Sequence, residues 1–171
     1  MAVEKVREYL KEYHMQDRIL EFDVSSATVE LAAQAVGCEP ERIAKTMSFL
    51  VNEEVILIVT AGDVKIDNKK YKQHFHAKAK MIPFEEVEEY TGHAPGGVCP
   101  FAVREGVRAY LDESLKRFET VYPAAGSANS AVRLTPVSYT HLQCENDRAC
   151  QGGRASGDRR SMPAPFYFDI G

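Results

Sequence analysis

Val3, Val6, Leu10 and Tyr13 recur at helical spacing among charged residues, which predicts an amphipathic helix over residues 3–13. Ile19-Leu20-Glu21-Phe22 predicts a short strand. Ser25 and Ser26 stand where helix caps belong, ahead of a helix over Thr28–Val36 that Gly37 stops. Pro40 opens a short helix expected to end near Lys45. Thr46–Val51 alternates apolar and polar residues, Asn52-Glu53-Glu54 has turn character, and Val55–Thr60 is apolar on both faces. These three segments predict a hairpin whose second strand is central and buried.

Asp67 or Asn68 caps a predicted helix over 69–76, Met81-Ile82 forms a brief strand, and Glu85–Tyr90 one or two helical turns closed by Gly92. Val107–Leu111 alternates as a strand and Ser114–Glu119 suits a short helix. Val121-Tyr122 and Ala131–Leu134 bracket a small-residue loop and predict a last hairpin. Strands and helices alternate without a strict βαβ repeat, which predicts a mixed sheet with helices packed on it. From Val137 onward the periodicity is lost, and Arg148, Arg154, Arg159 and Arg160 lie scattered among Gly and Ser. Residues 137–171 are therefore expected to be a mostly disordered tail, with a weak edge-strand signal at 165–170.

The 171 residues suit one core, and apolar and charged fractions of 44% and 27% are those of a globular protein. No apolar run is long enough to span a bilayer as a helix. The charged N-terminal segment lacks a signal-peptide core, so the expected location is cytoplasmic, without a membrane partner. Cys38, Cys99, Cys144 and Cys150 show no disulfide or metal spacing, and neither a metal nor another cofactor is expected. A net charge of −4 argues against general nucleic-acid coating. The one basic concentration is Lys65, Lys69, Lys70, Lys72, Lys78 and Lys80 around Tyr71, His74 and His76. It is either a phosphate-contacting face, with Lys69, Lys70 and Lys72 on an RNA backbone, or the solvated side of a helix.

The most informative segment is Gly92-His93-Ala94-Pro95-Gly96-Gly97-Val98-Cys99-Pro100-Phe101. Adjacent glycines permit positive φ and a ligand's close approach to bare N–H groups, while the flanking prolines hold the loop rigid. Such a loop can bind a carbonyl oxygen or a phosphate without a charged side chain, or serve simply as a tight turn. Cys99 with nearby His93 also leaves open a thiol hydrolase, which would need a thiolate and an orienting third group.

Four segments share an order and spacing: Ser25-Ser26-Ala27-Thr28-Val29-Glu30-Leu31-Ala32-Ala33, Ile43-Ala44-Lys45-Thr46, Gly96-Gly97-Val98-Cys99-Pro100-Phe101, and Ala125-Gly126-Ser127 leading into Val132-Arg133-Leu134-Thr135-Pro136. In this arrangement residues 1–136 resemble the YbaK/prolyl-tRNA-synthetase-associated domain family. The resemblance implies an α/β (α+β) fold, a mixed, curved β-sheet with surrounding helices. It also implies a metal-free aminoacyl-tRNA deacylase that edits mischarged tRNA in trans, with alanyl- or cysteinyl-tRNA(Pro) as expected substrates. The implied partners are mischarged tRNA and prolyl-tRNA synthetase. A non-catalytic member that binds tRNA or a synthetase is the alternative.

On the same resemblance, Lys45, Gly96 and Gly97 are the expected catalytic groups. Lys45 would sit beside the terminal adenosine, and the glycine main chain would polarise the ester or orient a water. Gly126 and Ser127 would line the same pocket, as would Thr46. Phe22, Ala27, Thr28, Met47 and Phe101 are candidate walls for the amino-acid side chain, with core packing the alternative for Phe22, Met47 and Phe101. Cys99 stands where the family usually has serine, and either lines the pocket or is buried. Residues 137–171 depart from the family pattern, which marks that tail as foreign to it.

Overall fold

The computed structural model describes residues 2–144 and 167–171. Helix α1 (Ala2–Lys11) buries the Val3, Val6 and Leu10 stripe, as its periodicity requires. It stops short of residue 13 because His14 takes a left-handed turn (φ 58°), but Tyr13 still packs on the core. Strand β1 (Ile19–Glu21) follows. Helix α2 (Val29–Val36) is capped by Thr28, whose Oγ1 accepts from the Leu31 N–H at 3.2 Å, and is stopped by Gly37. The cap therefore lies two or three residues beyond the expected Ser25 and Ser26.

Pro40–Arg42 makes only a 3-10 turn. Strand β2 (Ile43–Val51) begins three residues earlier than its alternation suggests, because Ile43 and Ala44 pair with strand β5 (Tyr122–Pro123). Lys45 is therefore a strand residue, not a helix end. Strand β3 (Glu54–Ala61) completes the hairpin through a turn in which Asn52 and Glu53 both have positive φ, and Ile56–Val59 are buried as expected. Helix α3 (Asn68–Phe75) is capped by Asp67, and helix α4 (Val87–Thr91) ends at Gly92. Strand β4 (Arg108–Asp112) precedes a 3-10 segment, Glu113–Arg117.

The main sheet runs β5-β2-β3-β4-β7, where β7 is Tyr167–Phe168; β2–β3 is antiparallel and the other pairs are parallel. Strand β6 (Ser130–Val132) pairs antiparallel with β1. The expected last hairpin survives only as bridges at Val121–Leu134 and Ala124–Ala131, since its two arms serve different sheets. These bridges curl one ladder onto the other, giving the mixed, curved sheet with helices around it. The main core lies between α1 and the sheet, built on Leu10, Val59, Leu111, Phe101 and Leu134.

Two parts of the tail differ from the expected disorder. Helix α5 (Pro136–Cys144) starts where Thr135 Oγ1 accepts from the Ser138 N–H at 3.1 Å. Tyr139 and Leu142 are fully buried in the main core. The helix forms because a capping threonine and a proline in the first turn supply its start, and two apolar residues supply its face. At the chain end Ile170 is buried, and Asp112 Oδ1 accepts from the N–H groups of Ile170 and Gly171, both at 2.8 Å. Lys70 Nζ donates to Asp169 at 2.7 Å and to the Gly171 carbonyl at 2.9 Å. Residues 145–166, with Cys150 and the four scattered arginines, lie outside the described residues.

Asp112 also accepts from the Ser114 N–H at 3.0 Å, so one buried carboxylate satisfies three amides. Asp112→Ala is expected to lower unfolding free energy by about 2–4 kcal/mol, because those amides lose a charged acceptor. An unchanged urea midpoint would contradict this account of how the chain end is held.

Candidate functional site

A cleft of about 170 Å³ opens where α2, β2, the glycine loop and the 124–131 segment meet. Lys45, Thr46, Gly96, Ala27 and Thr28 all line it, so the chain brings together five of the residues singled out in the sequence. Ser26, Ser130 and Tyr122 join them.

Each wall has a local cause. The positive φ of Gly96 (85°) turns the loop so that its main chain passes Ala27, where a Cβ would lie 3.0 Å from the Ala27 Cβ. Ser26 is fixed by its N–H, which donates to the Ala128 carbonyl at 2.6 Å. Thr28 holds the wall through its cap on α2. Ser130 Oγ is 2.7 Å from Ser127 Oγ, which itself donates to Asn129 Oδ1 at 2.8 Å. Ser127 therefore braces the wall from behind, while Ser130 lines the cleft.

Gly97 stands behind Gly96 and plays a different part from the one its position in the motif suggests. Its N–H donates to the Ala94 carbonyl and its carbonyl accepts from the Gly126 N–H, both at 3.0 Å. A Cβ there would lie 2.5 Å from the Ser127 nitrogen. The Gly97 amide is thus already used, and its lack of a side chain serves loop-to-loop contact. The Gly96 N–H has no main-chain partner among the described residues.

Three other expected wall residues fall elsewhere. Phe22 is half-buried, and its N–H and carbonyl bond Asn129 at 2.8 and 3.1 Å, clamping the far loop. Met47 lies with Lys45 and Phe49 along a second groove, because alternation sends it to the opposite face of β2 from Ala44 and Thr46. Phe101 is fully buried, its ring 6.1 Å from Tyr9 and 5.6 Å from Tyr139. Gly126 is buried under the start of α1, where a Cβ would meet Ala2 at 2.9 Å.

Cys99 is core rather than pocket, and the geometry removes the thiol-hydrolase reading. It is fully buried, and burial pushes its thiol up to about 12, far from a thiolate at neutral pH. His93 Nε2 lies 2.6 Å from the Phe101 carbonyl, which can only accept, so Nε2 carries the proton. That same nitrogen is the one facing Cys99 Sγ, at 3.6 Å, so it cannot take the thiol's proton. The thiol points to the Phe101 carbonyl as well, at 3.8 Å. The pair supports the loop's C-terminal half.

Lys45 is half-buried. Burial lowers its amine's affinity for a proton, Lys65 reinforces this, and Asp63 and Glu30 oppose it. Asp63 is in turn held by a two-pronged contact from Arg117, which keeps its carboxyl below the usual range. No carboxylate, imidazole or thiol lines the cleft among the described residues. Nor do the described residues bring together three or more His, Cys, Asp or Glu side chains fit to hold a metal. The Thr46 and Ser26 hydroxyls are buried at the cleft without a hydrogen-bond partner. Buried hydroxyls left so cost free energy and are available to a ligand. Of the expected RNA-contacting lysines, Lys69 and Lys72 are exposed on α3, whereas Lys70 is engaged at the chain end.

Ser26, Ser130 and Tyr122 were not foreseen. Ser26 lies inside the first motif, where it was read as a helix cap, and Ser130 lies three residues beyond Ser127; nothing in their own pattern separates a cleft hydroxyl from a turn hydroxyl.

The aminoacyl-tRNA editing domain profile matches residues 24–142. The chain is 52% identical over 143 residues to the uncharacterized protein YwhH of Bacillus subtilis (strain 168), covering 83% of this chain and 91% of that one. It is 31% identical over 126 residues to the proline–tRNA ligase of Bacillus licheniformis, covering 72% of this chain but 20% of the ligase. A crystal structure proposed to be a trans-editing enzyme for prolyl tRNA synthetase superposes with a TM-score of 0.76 at 30% identity, over 83% of this chain and 91% of that one. The chain belongs to the aminoacyl-tRNA editing domain family, and its fold is that of the trans-editing structure. It spans about a fifth of the length of the ligase.

Two outcomes follow from the loop's interior. In the native protein, iodoacetamide is expected to alkylate Cys38, which is partly exposed, far faster than Cys99, as read by peptide mass mapping. Comparable native rates would return Cys99 to the cleft. Burial also depresses the pKa of His93, so the unfolded chain binds the proton that the fold excludes. Stability should therefore be fully present above about pH 6.5 and fall below it, by up to about 1.4 kcal/mol per pH unit. His93→Gln, which keeps a donor for Phe101, should flatten that slope; an equal slope in the variant would discount the imidazole.

Proposed function

We propose that the protein hydrolyses the ester linking a wrongly attached small amino acid to the 3′-terminal ribose of tRNA, acting apart from the synthetase. The observation that carries this reading is the meeting of Lys45, the Gly96 main chain and the Thr46 hydroxyl in one small cleft. At about 170 Å³ the cleft is well below the roughly 300–1,000 Å³ of drug-sized ligand pockets, which suits an alanyl or cysteinyl group. The family relation to proline–tRNA ligases supports tRNA(Pro) as the carrier.

In this reading the ester carbonyl faces the Gly96 N–H, and Lys45 draws the terminal ribose-phosphate to the mouth. Water attacks the carbonyl carbon, the carbon–oxygen bond to the ribose breaks, and the ribose oxygen keeps the proton that water gives up. Since the cleft offers no carboxylate or imidazole among the described residues, that proton passes through the substrate's own neighbouring ribose hydroxyl, and the protein contributes position and polarisation. The buried Thr46 hydroxyl supplies a further donor to the acyl end.

Incubating the protein with tRNA(Pro) charged with alanine, cysteine or proline, and following ester loss, tests the reading. Lys45→Ala is expected to slow deacylation by about 10²-fold, and Cys99→Ser to leave it within a few-fold. Retained tRNA binding with no hydrolysis by the wild type would make this a binding member of the fold instead.

A further inference from the structure

A second groove, of about 330 Å³, lies on the other face of β2. Its floor is Met47, Phe49, Ile66 and Met81, and Lys65 stands with Lys45 at its edge. Lys45 lines both this groove and the cleft. The ladder on β2 explains how one residue reaches both. Strand β5 pairs with β2 at Ile43 and Ala44 and no further. The 80–82 segment takes up that edge again only at Ser48, through Ile82 N–H to the Ser48 carbonyl and the Phe49–Met81 bridge. From Lys45 to Met47 the edge has no strand beside it among the described residues, and Lys45, which lines both hollows, stands at that gap.

The charge around the groove is one-sided. Lys65, Lys78 and Lys80 are exposed at or beside its lining, and Lys69 and Lys72 lie on the adjoining α3. Among the described residues Lys70 is the one lysine of this cluster that holds an ion pair. The two acids nearest Lys65 in the chain are both engaged, Asp67 by the Lys69 and Lys70 amides and Asp63 by Arg117. Met81 is 60% exposed, although it lies over apolar neighbours. A flat apolar floor rimmed by free cations matches a nucleotide: a base with a π-face, carried on phosphate.

We infer that this groove receives the terminal nucleotide of the RNA, its base on Met47, Phe49 and Met81 and its phosphates at Lys65, Lys78 and Lys80. The inference rests on the deacylase reading for the identity of the RNA. It adds that Lys45 is the hinge post between a nucleoside subsite on one face of β2 and an acyl subsite on the other, with the ribose crossing the open edge.

The test is fluorescence anisotropy of an uncharged RNA hairpin with a single-stranded 3′-CCA end, against the same hairpin lacking the last adenosine. The wild type should bind the complete end more tightly, and Met81→Ala should weaken that complex about five-fold, the low end for loss of one base-stacking surface, while leaving the shortened RNA unaffected. Lys65→Ala should weaken both and reduce the slope of log affinity against log salt by about 0.7. Both side chains are exposed, so an unchanged melting temperature can be required of each variant. Equal binding of the two ends by the wild type, or full discrimination by Met81→Ala, would overturn the inference. So would free AMP binding as tightly as the RNA, which would make the groove a mononucleotide site. Discrimination without ester hydrolysis keeps the groove and removes the deacylase reading; hydrolysis without discrimination removes the groove alone.

Discussion

Two stretches of bare main chain, pressed together, set the shape of the cleft. Gly97 sits against Gly126 and Ser127 so closely that no Cβ fits, and the obstructing atoms are backbone, which cannot swing aside. One hydrogen bond of 3.0 Å, from the Gly126 N–H to the Gly97 carbonyl, locks the contact. With that distance fixed, Gly96 is carried against Ala27, and Ser130 is presented from the far loop. Beneath it, His93, Cys99 and Phe101 form a dry support in which a single carbonyl receives both an imidazole and a thiol donor. The loop is rigid because its interior is filled, and its outer face can then be left polar and open.

A cleft that has no carboxylate, imidazole or thiol among the described residues places a particular demand on its reaction. Rate must come from holding the ester and water in line and from dipoles already aimed at the developing charge. Unpartnered hydroxyls at Thr46 and Ser26 fit that demand, since they carry a desolvation cost that a polar ligand relieves. Lys45 differs from them in being only half-buried, with Asp63 and Glu30 acting on it across the surface. Arg117, by gripping Asp63, limits how far that carboxylate can move toward the lysine.

The sequence carried the elements whose signal is local. The Val3-Val6-Leu10 stripe, the apolar run of β3 and the Asp67 cap each express a short-range rule, and each is found in the structure. The meeting of Lys45, Thr46 and Gly96 was legible through the family resemblance, because motif order there stands in for three-dimensional proximity. What escaped was decided by contacts distant in the chain. Lys45 joined a strand because Tyr122 and Pro123 pair beside it. Met47 turned away from the cleft by strand alternation once β2 began at Ile43, and Phe101 and Cys99 went inward because α1 and α5 close over them. The short helix at 136–144 was the exception. Thr135-Pro136 is a local start signal, and it was outweighed by the absence of any longer period after it.

The pairing of β1 with β6 joins residues 19–21 to residues 130–132. During synthesis the first of these strands leaves the ribosome long before its partner exists, and so do α1 and the β2–β3 hairpin. The early hairpin can form at once from neighbouring sequence, while the walls contributed by Ser130 and the 124–131 segment arrive last. The nascent chain therefore passes through a stage with its apolar hairpin made and its cleft still absent. Premature release at that stage would leave the Val59 side of the hairpin open to other chains, because Val132 and Leu134 of its core cluster follow that late segment.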